Sequence, residues 1–413
     1  MFNTIIISIV AFLIIVLLLV GVLLYAKKKL MPSGIVKLTI NGGEKTLEVE
    51  PGNSLLSTLS EKDIFLPSAC GGGGSCGMCR CNVDEGGGDI LPTEVNFFTR
   101  KQQQEHFRLA CQVKVRQDMS IRVPAASLGV RKWECEVVSN NNVATFIKEF
   151  VVKLPVGETL NFKSGGYIQI DVPKYDAIRF SDFDVNPEFR ADWDKMKLWD
   201  LVTKNPEPTY RAYSMANHPA EGNIIMLNIR IATPPWNRAA GAFANVNPGI
   251  CSSYIYSLKP GDKINISGPY GEFHVKDTPN EKMFIGGGAG MAPMRSHIFN
   301  LFLTEKTNKK VTFWYGARSA REVFYEDQFR AIEKDFPNFR FEIGLSEPKK
   351  EDNWSGYVGF IHNIIFENYL KNHEAPEDIE YYLCGPGPMT SAINKMLDDL
   401  GVPPENIMYD NFG

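Results

Sequence analysis

Eight cysteines occur in the 413 residues, and four of them have a spacing with chemical consequences: Cys70-x5-Cys76-x2-Cys79, then Cys111. Gly71 to Gly74, with Ser75, fill the first interval. Four thiolates around a glycine loop are the ligand set of a [2Fe–2S] cluster. Glycines lack Cβ, so the backbone can wrap closely and aim N–H groups at negatively charged sulfur. A structural zinc site usually pairs two Cys-x2-Cys knuckles, or one knuckle with histidine. This stretch has one knuckle, and His106 is the only nearby imidazole. The cluster is therefore expected. Cys81 follows Cys79 by two positions and, by strand alternation, would point the same way. It is read as a small buried hydrophobe, not a ligand. A cluster of this kind moves one electron at a time, so the rest of the chain should supply or accept electrons.

Further along, Arg211-Ala212-Tyr213-Ser214 precedes Pro248-Gly249-Ile250-Cys251-Ser252-Ser253, and Ser267-Gly-Pro-Tyr-Gly271 follows. Taken singly these are weak: Tyr213 could be a core aromatic and Arg211 one half of a surface pair. Gly286-Gly287-Gly288-Ala289-Gly290-Met-Ala-Pro293 is stronger. A glycine-rich turn between strand and helix lets backbone approach a pyrophosphate. Pro293 stands where an ordinary dinucleotide fingerprint has its third glycine. Leu383-Cys384-Gly385-Pro-Gly-Pro-Met389 closes a later strand, with Cys384 either at a reactive centre or simply a buried strand-end thiol. His218, His274 and His297 are read as structural.

The elements needed to position these residues are legible. Residues 35–40 alternate like a strand, Asn41-Gly42 marks a turn, 46–49 begins a second strand and Ser54–Leu59 a helix. From Trp133 to about His274 the signals are short strands separated by turns, as in an antiparallel barrel or sandwich. Residues 174–209 interrupt them with a charged, aromatic insert. This is either a solvated excursion or a docking surface or cap anchored by Trp193 and Trp199. After Pro279 strands alternate with helices, which argues for a doubly wound parallel sheet. The expected organisation is 1–30 as a membrane anchor, 33–127 as an α+β, β-grasp-like domain around the cysteines, 130–275 as the antiparallel barrel and 279–413 as the doubly wound α/β domain. Pro124–Gly129 is the expected linker and hinge.

Composition is that of folded cores, 44% apolar and 22% charged, and a net charge of −4 implies no nucleic-acid partner. Ile5–Ala26 carries no charge and is followed by Lys27, Lys28 and Lys29. About 20 apolar residues suffice to cross a bilayer. The positive-inside bias then leaves residues 27–413 in the cytoplasm. A cleaved signal peptide would need a charged beginning, a shorter apolar run and a cleavage site, none of which is seen. The span holds no charge, so it anchors without carrying an ion path.

The cysteine spacing resembles that of ferredoxins over residues 34–127. The Arg211–Ser214, Gly249–Ser253 and Ser267–Gly271 motifs, in that order, resemble the flavin domain of the ferredoxin–NADP+ reductase family, and Gly288-x-Gly290-x-x-Pro293 resembles its pyridine-nucleotide motif. The resemblance implies FAD, with Arg211 on the pyrophosphate, Tyr213 stacked on the isoalloxazine and Ser214 near N5. It implies that Gly249, Cys251, Ser252 and Ser253 offer backbone N–H and hydroxyl groups to that pyrophosphate. Gly286, Gly287, Gly288, Ala289, Gly290 and Pro293 would hold the nucleotide, with Trp314–Arg318 along its ribose and adenine. Cys384 and Gly385 would face the nicotinamide, and Phe412 would cover the flavin. Cys384, Ser214 and Phe412 would thus surround the reacting atoms. Arg318 and Arg321 sit where a 2′-phosphate could be read, which leaves NADH against NADPH open.

The whole order of membrane helix, ferredoxin, flavin barrel and nucleotide domain resembles the family of F subunits in bacterial Na+-translocating NADH:quinone oxidoreductases. SACGGGGSCGMCR, RAYSMAN, FIGGGAGMAPMRSHIF and EDNWSGYVGFIHN carry the likeness. It implies NADH as donor, FAD, one [2Fe–2S] cluster, and a place in the inner membrane beside the other components of a sodium pump. Quinone would be reached only through those neighbours, and sodium transport would be theirs. An oxygenase reductase component shares the order of redox domains but needs no anchor. A non-catalytic anchored iron–sulfur scaffold would not keep the flavin and nucleotide motifs intact.

Overall fold

The computed structural model describes residues 2–30, 34–237, 239 and 241–410, apart from the side chains of 2–5, 8, 23–24, 26–30 and 126. Helix α1 runs Phe2–Leu30. Its described apolar side chains, Ile7, Phe12, Leu17 and Leu18 among them, are mostly exposed. Among the described residues, which leave out part of α1, no helix is long and apolar enough to cross a membrane. The chain divides into two compact units, Met1–Val130 and Arg131–Gly413.

In the first unit β1 (Val36–Ile40) turns at Asn41–Gly43 into β2 (Lys45–Val49). The turn needs positive φ, 50° at Asn41 and 71° at Gly42, which Asn and Gly tolerate best. Ser54 caps α2 (Leu55–Ser60) by accepting from the Ser57 N–H, and Leu55, Leu56 and Leu59 form its buried face. Then come β3 (Arg80–Glu85), α3 (Pro92–Val95), α4 (Arg100–Gln104), β4 (Phe107–Leu109) and β5 (Met119–Arg122). The sheet order is β2-β1-β5-β3-β4, with β1 and β5 parallel and the other pairs antiparallel. The glycine loop lies between α2 and β3. The stretch expected as a linker contains a helical turn, α5 (Ala125–Leu128).

The second unit opens with β6 (Arg131–Ala144), β7 (Ile147–Lys153) and β8 (Tyr167–Val172). The insert follows as β9 (Tyr175–Arg179), α6 (Pro187–Lys195) and β10 (Val202–Asn205). Next come β11 (Thr209–Ser214), β12 (Ile224–Arg230), the small hairpin β13 (Trp236–Asn237) and β14 (Ala242–Phe243), α7 (Ile250–Ser257) and β15 (Lys263–Tyr270). The antiparallel order β11-β8-β15-β6-β7-β12 closes on itself where Met215 bridges Leu227 and the Ala216 N–H donates to the Met226 carbonyl.

The insert corrects the expectation. It is not a solvated excursion. Phe180, Phe183, Val185, Phe189, Trp193 and Leu198 are buried in the barrel's own core cluster. Trp193 is fully buried and donates to the Thr145 carbonyl, so it is no docking anchor. Trp199 packs on Trp193 and donates to Asp194.

The rest of the unit is β16 (Lys282–Gly287), α8 (Met291–Phe299), β17 (Val311–Ala317), α9 (Glu326–Asp335), β18 (Phe339–Leu345), β19 (Tyr357–Val358), α10 (Ile361–Asn368), β20 (Glu380–Cys384), α11 (Gly387–Asp399) and β21 (Ile407–Tyr409). All six strands are parallel, in the order β19-β18-β17-β16-β20-β21. The direction of winding reverses between β16 and β20. In an open parallel sheet the crevice beyond the strand ends at such a reversal is where a ligand binds. Here it is flanked by Gly286–Gly290 and by Cys384–Gly387.

Candidate functional site

In the first unit the four thiols fall into two pairs. Cys70 and Cys76 place their sulfurs 3.3 Å apart, and Cys79 is hydrogen-bonded to Cys111. Among the described residues no three His, Cys, Asp or Glu side chains are grouped as a single metal ion would need. Two thiols on each side suit a two-iron core. The loop supplies donors: Gly74, Ser75 and Cys76 offer backbone N–H to Cys70, and Ala69, Cys70 and Met78 offer theirs to Cys76. Gly71, Gly72, Gly74 and Gly77 hold φ of 65°, 89°, 76° and 67°, the left-handed backbone that lets the loop curl around the sulfurs. The bond from Cys76 is the largest influence holding the Cys70 thiol well below its usual range, and the bond from Cys79 does the same for Cys111. The opposite member of each pair is pushed up.

Cys81 stands apart. It lies in β3 opposite Arg108, is fully buried, and burial pushes its thiol up to about 12. Behind the ligand loop, Arg108 forms a buried ion pair with Glu94 at 2.7 Å, and Glu94 also accepts from the Leu91 and Leu109 N–H groups. This polar hub braces the segment that leads to Cys111. The cysteine spacing did not mark it, because neither residue belongs to that run.

In the second unit Arg211, Tyr213 and Ser214 lie on β11, which pairs with β8. Arg211 donates to Thr209 Oγ1 and the Tyr210 carbonyl and stays partly exposed. Tyr213 packs against the barrel core. Gly249 caps α7, and a Cβ there would fall 2.5 Å from that of Ala232. Free N–H groups at a helix start attract anions. Ser253 adds a buried hydroxyl with no partner. An unsatisfied hydroxyl in the first turn of α7 fits a pyrophosphate, the anionic part of FAD. Two expectations shift in detail. Ser252 Oγ already accepts from the Ala232 N–H and donates to the Gly249 carbonyl, and the Cys251 side chain belongs to the barrel core. Both can offer only backbone N–H outward.

At the nucleotide crevice Gly288 has φ of 57° and, like Gly387, has open space where a Cβ would stand or no more than a distant contact. Gly290 is the opposite: a Cβ would lie 2.1 Å from the Cys384 carbonyl oxygen, so only glycine lets the two loops meet. This glycine cradle fits a dinucleotide. Pro293 is buried within α8, and Ala289 packs against the sheet's core cluster.

Ser214 and Cys384 come together through a residue that sequence reasoning passed over. Asp410, just after β21, accepts a 2.5 Å hydrogen bond from Ser214 Oγ, joining barrel to nucleotide sheet. Burial raises its carboxyl to about 7 against the lowering pull of the serine bond. Cys384 is fully buried, and desolvation followed by the nearby Asp410 charge pushes its thiol well up. It is therefore a neutral thiol. Asp410 had one available signal: it sits in the C-terminal run from which only Phe412 was singled out, and Phe412 lies outside the described residues.

The cations considered for a 2′-phosphate are both engaged. Arg318 pairs with Glu347 at 3.0 Å beyond the ends of β17 and β18. Arg321 pairs with Asp192 of the insert and donates to the Glu188 carbonyl. The buried His297 imidazole is held down to about 3 by desolvation and serves packing.

Comparison with known proteins finds the same three kinds of domain. Residues 38–116 match the 2Fe-2S iron-sulfur cluster binding domain family, 200–275 the oxidoreductase FAD-binding domain and 284–395 the oxidoreductase NAD-binding domain. The chain is 56% identical over 409 residues, 99% of each protein, to the F subunit of the Na(+)-translocating NADH-quinone reductase of Methylococcus capsulatus. It is 55% identical, again over 99% of each, to that of Klebsiella pneumoniae. An Amycolatopsis cytochrome P450 reductase shares the fold, with a TM-score of 0.62, 21% identity, and coverage of 91% of this chain and 98% of its own.

Proposed function

The chain belongs to the family of F subunits of the Na(+)-translocating NADH-quinone reductase, and on that premise we propose how its residues divide the work. It is an oxidoreductase, the electron-input component that oxidises NADH with FAD and a [2Fe–2S] cluster. Bound FAD would supply a hydride acceptor and a bound cluster a one-electron carrier, chemistry that belongs to those groups.

The protein's part is binding, orientation and proton placement. Cys70 and Cys76 would hold one iron, Cys79 and Cys111 the other. Arg211 and the start of α7 would hold the FAD pyrophosphate, and Tyr213 would offer its face to the flavin. The loop Gly286–Gly290 offers N–H groups to the NADH pyrophosphate, with Gly385 beside it and Pro293 setting the helix behind it. Cys384 and Ser214 flank the hydride path, and Asp410 sets the direction of the Ser214 hydroxyl. Residues 33–127, 130–275 and 279–413 act as the three redox modules.

The observation that carries this reading is the Ser214–Asp410 bond, which brings the end of the flavin strand to the nucleotide crevice beside Cys384. Rapid mixing with NADH tests it. Ser214→Ala is expected to slow flavin bleaching roughly tenfold or more, the scale of a lost reacting-site donor, while FAD stays bound. An unchanged bleaching rate would remove Ser214 from the reacting centre.

Helix α1 anchors the chain in the inner membrane as a single span, with the rest in the cytoplasm. The uninterrupted apolar sequence, the exposed described side chains and the lysines at 27–29 support this. The partners are the membrane subunits of a redox-driven sodium pump, through which electrons reach quinone.

A further inference from the structure

One side chain near the cysteines is arranged more closely than packing requires. Gln112 follows the last cysteine, and its Nε2 donates to Cys111 Sγ at 3.5 Å. Its orientation is set from the other end: Thr93 Oγ1 donates to Gln112 Oε1 at 3.3 Å, which turns the nitrogen toward the sulfur. Its backbone is held as well, the Gln112 N–H donating to the Leu109 carbonyl at 2.8 Å. Gly74 makes room, since a Cβ there would lie 2.5 Å from Nε2. Three separate segments, at 74, 93 and 111–112, thus converge to place one amide hydrogen on one thiol.

We propose that Gln112 is a positioning residue that sets the cluster's reduction potential through the Cys111 sulfur. The inference rests on the reading of Cys70, Cys76, Cys79 and Cys111 as the cluster ligands. Reduction adds a negative charge that spreads onto the ligating sulfurs. A hydrogen-bond donor there stabilises the reduced form more than the oxidised one, so each such donor raises the potential. The backbone N–H groups of the loop serve Cys70 and Cys76, and that of Gly74 serves Cys111 as well; none of them can be removed by substitution. The Gln112 amide is a side-chain donor, adjustable by one residue change without touching a ligand. Thr93 acts through it.

The test is a redox titration of the intact chain followed by electron paramagnetic resonance, with cluster content measured by iron and sulfide analysis. In Gln112→Leu the ratio of reduced to oxidised cluster at a fixed potential is expected to fall three- to tenfold, a downward shift of about 30–60 mV for a one-electron couple. Gln112→Glu, which replaces the donor by a charge, is expected to fall further. Midpoints equal to that of the unsubstituted protein in both variants, with full cluster content, would overturn the role of Gln112 and leave the ligand assignment standing. If the unsubstituted chain shows no cluster signal, it is the ligand assignment that fails. If Gln112→Leu assembles no cluster, Thr93→Val carries the test: a smaller fall in the same direction supports the proposal, and an unchanged or raised midpoint overturns it.

Discussion

Ser214 and Asp410 share one hydrogen bond, and the position of its proton decides what Ser214 can offer outward. With the carboxyl raised to about 7, Asp410 keeps its proton below that pH and donates to Ser214 Oγ, freeing the serine hydroxyl to donate toward the flavin. Above it the carboxylate captures that hydroxyl. NADH-dependent flavin reduction is therefore expected to slow several-fold as pH rises through about 7, and Asp410→Asn is expected to flatten the profile; stopped-flow across pH 5.5–8.5 checks both. The same shift affects stability. The folded carboxyl binds its proton more tightly than the unfolded one, whose ordinary value is 3.8. Stability thus falls as pH rises between about 4 and 7 and levels off above. Where the family resemblance would put a 2′-phosphate, Glu347 neutralises Arg318 and would repel that group. Glu347→Ala is expected to raise kcat/KM for NADPH about tenfold relative to NADH, and steady-state kinetics with both nucleotides would show it.

Elements decide how these residues meet. Helix α8 begins at the crevice and, one turn in, sends Arg295 to the Ala216 carbonyl and to Glu221 at 2.7 Å, tying nucleotide sheet to barrel. Gly290 precedes it where two loops touch through backbone atoms alone, and backbone cannot retreat as a flexible side chain can. Gly290→Ala is expected to cut NADH-dependent bleaching by roughly two orders of magnitude, the scale of a 1 Å misplacement, with FAD retained. Wild-type rates would show the approach to be dispensable. The insert is the second decisive element. Because Trp193 is core, Trp193→Ala is expected to cost about 3–5 kcal/mol and lower the thermal midpoint of the second unit. A surface flap would lose almost nothing.

At the scale of the whole molecule, each of the two compact units carries its own redox machinery. Cys76→Ala is therefore expected to abolish the paramagnetic signal of the reduced cluster while NADH still bleaches the flavin. Loss of bleaching in a folded variant would break that modularity. Removing residues 1–33 is expected to move the chain from the membrane to the soluble fraction with bleaching intact, as fractionation and absorbance would report.

Spacing and periodicity sufficed for much of this protein. A Cys-x5-Cys-x2-Cys run with glycines is legible because ligands that bind one group from one loop must be local in sequence. The parallel sheet is legible because alternation of strand and helix is written along the chain, and the glycine turn after β16 because a backbone approach needs a missing Cβ at fixed positions. What stayed hidden was long-range. Asp410 reaches Ser214 across 196 residues, Arg321 of the nucleotide sheet meets Asp192 of the insert, and Glu94 meets Arg108 behind the cysteines. The insert's aromatics and charges have the same composition whether solvated or packed, so only closure of the barrel beneath them determined that Trp193 is interior. Chemistry carried by consecutive residues was determined by the sequence alone. Chemistry that depends on who stands opposite, including the proton on Asp410 and the amide on Cys111, was decided by the tertiary structure, because burial and the partner across the gap exist only once the chain has folded.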